Sequence, residues 1–375
     1  MRWIIAAMLS LFVSASLSLA QQSSNIPSEV TLFKNVKVFD GVAGEVKDLD
    51  VLVVKNKIHR IADGIPETGT WEIKADTKAA TRLYAPVSGD FSGYAFRVEN
   101  ESGATETIEV EVNIIDGEGR TLMPGLIDSH THFTHCLPGA GIPGMEATPW
   151  QKIGAMATVC AKEHLMNGFT TVREMGGGAV AAGLKSAIDE GFVLGPRIYP
   201  SGAYISQSSG HGDFMTTVDR SPEDTNLGRL GLTIVVDGAD EVRKAVRQNL
   251  ARGASQIKIM VGGGVSSLKD PLHSSQFTNR EIAAAVQAAA AYDTYVGAHV
   301  YGNEDVRRAV ENGLLSIEHG QFITDDTAKL MIEKGAFLSL NLAGTSPDLL
   351  KHPVYGAKGI PPTSRPCNFK SKRWI

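Results

Sequence analysis

From Met123 onward the chain repeats one pattern: a short apolar run, a glycine-bounded turn, then a stretch with helical periodicity. A chain that alternates this way has few options, because successive parallel strands need crossover helices to cover their faces. The apolar runs predict strands at Gly125–His132, Thr170–Glu174, Arg197–Ile205, Gln256–Val261, Tyr295–Val300, Leu315–His319 and Ala336–Leu342. Helices are predicted between them, at Trp150–Met166, Asp240–Ala251, Arg280–Ala291, Asn303–Asn312 and Asp325–Lys334. Thr278 followed by Glu281 is a capping box that marks a helix start. The fold class is α/β, and the pattern fits a (β/α)8 TIM-like barrel of which seven strands are visible and the eighth is not.

Before the barrel, the segments Thr31–Phe39, Asp50–Val54, Ile58–Ile61, Gly93–Val98 and Thr107–Ile114 alternate with period two between turn residues, which predicts an all-β region. Residues 1–20 read as a secretory signal peptide: Arg2, an apolar run from Trp3, and Ser18-Leu19-Ala20 before the cut. Four serines make that run weak for a bilayer span, so no stable membrane anchor is expected, and the mature protein is expected in the periplasm or outside the cell. From residue 346 to 375 the periodicity fades into a basic, proline-rich tail with no carboxylate after Asp348, which reads as a truncated end. The net charge is −5 with no basic stripe, which excludes nucleic acid as a partner. Three cysteines, Cys136, Cys160 and Cys367, are too few and too scattered for a disulfide framework.

The reactive side chains stand at predicted strand ends, the functional face of such a barrel. His130 and His132 share one face of their strand by the period of two, and paired neutral imidazoles suit a borderline divalent metal such as zinc. Two histidines also share a strand by chance. His135 falls beyond the strand and reads as a loop residue. Lys258 interrupts a strand that should be apolar on both faces; either an acidic partner neutralises it, or its amine is modified and serves as a ligand. His299 and His319 end the next two strands and turn these residues into one constellation.

That constellation, with the run Pro124-Gly-Leu-Ile-Asp-Ser-His-Thr-His132, resembles the metal-dependent amidohydrolase superfamily, in its imidazolonepropionase-like and prolidase-like branch. The resemblance runs from about Val30 to about Ser364. It implies a small β-sandwich domain over 27–122, with 66–109 longer than usual, and a barrel over 123–345. It further implies two divalent metal ions, zinc by default: His130 and His132 on one, Lys258 bridging as a carbamate, His299 and His319 on the other. His211, in a glycine-flanked loop, and Tyr301, two residues past His299, are similar to substrate-facing positions, although packing roles serve each equally well. Arg173-Glu174 resembles a family Arg-Asp pair and is expected to be a structural ion pair.

The activity implied is hydrolysis of C–N amide bonds in dipeptides, N-acyl amino acids or cyclic amides, by a hydroxide bridging the metals. Small-molecule or dipeptide substrates are the expected partners, and a homo-oligomer is compatible with the reading. The superfamily's metal-binding aspartate at the end of the eighth strand has no counterpart here. Two other readings therefore stand beside the first: a remnant that binds metal without turnover, and a lactone or phosphotriester hydrolase on the same scaffold.

Overall fold

The computed structural model describes residues 30–42, 44–67, 69–73, 94–99, 105–110, 112–136, 141–267 and 269–340. The signal segment 1–20 and the tail 346–375 lie outside them, as does most of 66–109. The chain divides into two compact units, residues 1–124 and 125–375.

The described residues of the first unit are all-β, in two sheets. Strands β1 (Val30–Phe39), β2 (Val46–Val54) and β3 (Lys57–Ala62) pair antiparallel in sequence. Next in the chain come β4 (Gly69–Ile73), β5 (Tyr94–Glu99) and β6 (Thr105–Val110), which form the second sheet, and then β7 (Val112–Asp116) and β8 (Thr121–Leu122), which pair parallel to β1. The single strand expected over Thr107–Ile114 is thus two strands in different sheets, and β4 was not expected at all. Val30, Leu32 and Val36 carry the buried face of β1, whereas Asp50, Val51 and Leu52 of β2 are buried in succession.

The second unit opens with β9 (Leu126–Thr131), a 3-10 turn at Phe133–His135, and helices α1 (Gly141–Glu146) and α2 (Trp150–Met166). Then follow β10 (Phe169–Glu174), α3 (Gly178–Asp189), β11 (Arg197–Pro200), β12 (Tyr204–Ser206), a short α4 (Asn226–Arg229) and β13 (Thr233–Val235). The unit continues through α5 (Ala239–Ala251), β14 (Ile257–Met260), α6 (Asn279–Ala290), β15 (Val296–Val300), α7 (Asn303–Glu311), β16 (Ser316–His319), α8 (Asp325–Lys334) and β17 (Phe337–Ser339).

Every pair among the described strands of this unit is parallel, in the orders β11-β10-β9 and β13-β12-β14-β15-β16-β17. Each of the seven expected segments contains strand, but the third is broken in two. Pro200 lacks a donor and Gly202 takes a left-handed φ of 74°, so the chain steps from β11, paired to β10, into β12, paired to β14. Strand β13, three residues long, is too short to show a period. Among the described residues no backbone ladder joins β17 to β9. A hydroxyl contact of 3.1 Å between Ser129 and Ser339 is what links these two strands.

Alternation along the strands decides what faces what. Ile257 and Ile259 enter the main core with Val242, Val246, Ile282, Ala285 and Val306 of the helices, and Lys258 and Met260 point the other way, into a cavity. The capping box at Thr278 and Glu281 is present at the start of α6. One expectation about the cysteines is corrected: Cys136 and Cys160 form a disulfide. Helix α2 brings them together, because Ile153, Ala157, Cys160 and Ala161 lie on one buried stripe, which meets Phe133 of the turn just before Cys136.

Candidate active site

One cavity of about 380 Å³ collects the expected residues: His130, His132, Lys258, His299, His319, His211 and Tyr301 all line it. Their strands run parallel, so the side chains at corresponding ends converge. His130 and His132 turn their Nε2 atoms to within 3.2 Å of each other. On its far side the His130 ring donates from Nδ1 to Glu318 at 2.7 Å, which leaves Nε2 as the lone-pair nitrogen. His299 is held in the same manner, donating from Nε2 to the Gly263 carbonyl at 3.3 Å and keeping Nδ1 bare. The His299 ring centroid is 4.6 Å from that of His319, and His319 is 4.9 Å from His130.

Alternation alone would send Glu318 and His319 to opposite faces of β16. His319 instead adopts a φ of 77°, unusual for a residue with a side chain, and its ring stacks on Tyr301 at 5.1 Å while the Glu318 carboxylate reaches His130. Two consecutive residues therefore serve one site.

Desolvation governs the ionisation of the cluster. Burial, with the neighbouring cations, lowers His130 and holds His132, His299 and His319 well below the usual histidine range, so these imidazoles are neutral. Burial lowers the Lys258 amine to about 8 against the pull of Glu318. Its side chain is 1% exposed and makes no direct salt bridge among the described residues, although the charges of Glu318 and Glu174 act on it, so both readings of this lysine stay open. Burial would raise Glu318, but the hydrogen bond from His130, Lys258 and Arg173 overcome it and hold the carboxyl well below its ordinary value.

Arg173 donates to both oxygens of Glu318 at 2.8 Å, not to Glu174. The expected Arg173–Glu174 ion pair is thus corrected: neighbours on a strand face opposite ways, and Arg173 crosses to β16. Glu174 is fully buried, accepts from the Gly176 amide at 3.1 Å, and leaves its Oε1 without a hydrogen-bond partner. Desolvation pushes its carboxyl up to about 8.

Between about pH 4.5 and pH 8 the folded state therefore keeps a proton on Glu174 that the unfolded chain releases. Glu174 alone thus contributes a fall in stability as pH rises through that window, approaching about 1.4 kcal/mol per unit. In metal-free protein this is set against the rise that the lowered histidines give below about pH 6.5, so the wild-type slope should lie below that of Glu174→Gln by up to this amount. Urea midpoints from pH 5 to 8 measure the slope; equal slopes in both proteins would rule out a buried neutral Glu174.

His211 donates from Nδ1 to Asp270 at 2.9 Å and meets Ser266 through Nε2 at 3.2 Å. Gly264 lies against this ring, where a Cβ would come within 2.0 Å of it. Two lining residues were not anticipated. Tyr204 places its hydroxyl 3.2 Å from His132 Nδ1 and 3.0 Å from His135 Nε2, and the His135 ring stacks on His132 at 4.7 Å. The reading of His135 as a plain loop residue is corrected: the 3-10 turn after β9 folds it back onto the strand it follows.

Two nitrogens bound at about 2.05 Å in tetrahedral geometry stand about 3.3 Å apart, so the His130–His132 spacing fits a shared divalent ion. Each of His130 and His299 also has its second nitrogen tied to an oxygen acceptor, as metal-binding imidazoles do. No cluster of three or more His, Cys, Asp or Glu side chains in metal-holding geometry occurs among the described residues, so the fit rests on this pair and on the neutral nitrogens around it.

The sequence profile of the amidohydrolase family matches residues 121–358, and the chain belongs to that family, in its prolidase-like branch. Ochratoxinase of Aspergillus niger is 35% identical over 228 residues, 57% of this chain and 46% of that protein, so the chain spans about half the length of the curated relatives it matches. A crystal structure of a prolidase complexed with N-methylphosphonate-L-proline superposes with a TM-score of 0.68 at 32% identity, covering 89% of this chain and 71% of that one. A Xaa-Pro dipeptidase with methionine bound in its active site gives 0.65 at 29% identity, covering 87% and 71%. Among the described residues no helix is long and apolar enough to cross a membrane.

Proposed function

We propose that this protein is a metal-dependent hydrolase of amide bonds in small substrates, dipeptides or N-acyl amino acids, with a (β/α)8 barrel as one domain and a β-sandwich as another. The observation that carries the proposal is the cavity: five nitrogen-bearing side chains from four strands, all neutral or easily made so, around a His130–His132 pair spaced for one ion. His130 and His132 would hold one zinc, His299 and His319 a second, and Lys258, as its carbamate, would bridge them. Bound zinc supplies a Lewis acid and lowers the pKa of water.

The chain's own residues do the rest. Glu318 fixes the His130 ring and Gly263 the His299 ring, and the amine of Lys258, lowered to about 8, is readily neutral, as carbamate formation requires. Tyr301, buried and raised above the ordinary tyrosine value, stays a phenol that can donate to a developing oxyanion, and His211 lies where a substrate would extend. Relatives named for prolidase and ochratoxinase activity support an amide bond as the target. The Cys136–Cys160 bridge supports an exported protein.

Zinc-loaded protein should hydrolyse Xaa-Pro dipeptides or N-acyl amino acids. His130→Ala with His132→Ala should lose bound zinc, by elemental analysis, together with the activity. Folded wild type that takes up no zinc from excess would end this reading.

A further inference from the structure

We propose that Tyr204 and His135 form a tautomer relay that sets which ring nitrogen of His132 is free. The hydrogen bonds around His132 admit one direction at a time. Glu318 takes the Nδ1 proton of His130, so His130 Nε2 is an acceptor, and the 3.2 Å contact then needs the proton on His132 Nε2. With that proton on Nε2, His132 Nδ1 accepts from the Tyr204 hydroxyl, and the Tyr204 oxygen accepts from His135 Nε2–H. Every contact in this chain is satisfied.

The proposal rests on the reading that His132 holds an ion. For His130 and His132 both to offer Nε2 lone pairs, the His132 proton must sit on Nδ1. It then donates to the Tyr204 oxygen, the hydroxyl turns to donate to His135 Nε2, and His135 keeps its single proton on Nδ1. The proton count and the charge are the same in both states; two rings exchange tautomers and one hydroxyl rotates. Tyr204 suits the role because its phenol donates and accepts, and because it cannot drift. It is 2% exposed and packed against Gly176, where any Cβ would come within 1.8 Å of its ring. His135 is anchored by the disulfide at the next residue, Cys136, and by its stack on His132.

Histidine-labelled protein, with long-range proton–nitrogen correlations assigned by substitution, reads the tautomers directly. In wild type, His132 and His135 should both be Nε2–H without metal and both Nδ1–H with zinc. Tyr204→Phe should fold, leave His135 as Nε2–H when zinc binds at His132, and bind zinc about 10- to 100-fold more weakly in a chelator competition. His135→Leu should do the same to affinity. His135→Gln, whose amide can donate or accept, should restore most of it. A His135 that still changes to Nδ1–H with zinc in Tyr204→Phe overturns the relay. Wild type that binds zinc without a tautomer change at His135 overturns it with the metal reading intact. Failure of wild type to bind zinc removes the metal reading, and a metal-free wild type with His135 as Nδ1–H overturns the relay on its own.

Discussion

Glu318→Gln should cost about 3–5 kcal/mol of folding stability, because it leaves buried charge without its partner. The Glu318 side chain is 0% exposed and accepts from Arg173, His130 and Ser316 at 2.6–2.8 Å, with the Lys258 ammonium also drawing on its charge. The amide that replaces it has nearly the same volume, so cavity formation contributes little and the loss is electrostatic. Arg173, 15% exposed, would be left desolvated opposite a neutral group. Removing both charges is the control. Arg173→Met with Glu318→Gln should recover a large part of the loss, because swapping a buried pair for neutral groups costs far less than breaking it. Denaturant midpoints at constant slope measure this. A single variant within about 1 kcal/mol of wild type would mean that solvent reaches Arg173 far more freely than its burial indicates.

The same network shows where the sequence was legible. His130, His132, His299 and His319 stand at strand ends, and the strands themselves follow from their apolar periods, so residue type and period together locate the cavity's main contributors. Lys258 is legible as a charge in a run where both faces should be apolar. Glu318 carries the same signal, a charge between Ile317 and His319 in a buried strand, and it was available to the same argument. Tyr204 carries none: an aromatic residue in an apolar strand reads as core, and its hydroxyl gains the contact with His135 only when the Phe133–His135 turn brings His135 onto it. The disulfide, the break at Pro200–Gly202 and the Arg173–Glu318 pair are likewise set by tertiary packing over separations that no local period records.

Lys258→Met should raise stability and abolish function at once, a combination that separates a site lysine from a structural one. Burial lowers the folded amine from its ordinary 10.5 to about 8, which corresponds to a folding cost of roughly 3 kcal/mol whenever the amine is charged in both states. Methionine fills similar space without a charge, and Glu318 keeps Arg173 and His130, so nothing is left unpaired. Metal-free Lys258→Met should therefore gain on the order of 3 kcal/mol near pH 7. The sign follows from proton counting. Between pH 8 and pH 10.5 the unfolded chain holds a proton that the folded one has released, so wild-type stability rises with pH across that window and is penalised in full below it. The variant should lack that rise. Over the same comparison, zinc uptake and hydrolysis should fall together, since the substitution removes the amine that would become the carbamate. A Lys258→Met protein that is destabilised, with zinc binding and its pH dependence unchanged, would place this lysine in the framework and leave the metals to the histidines alone.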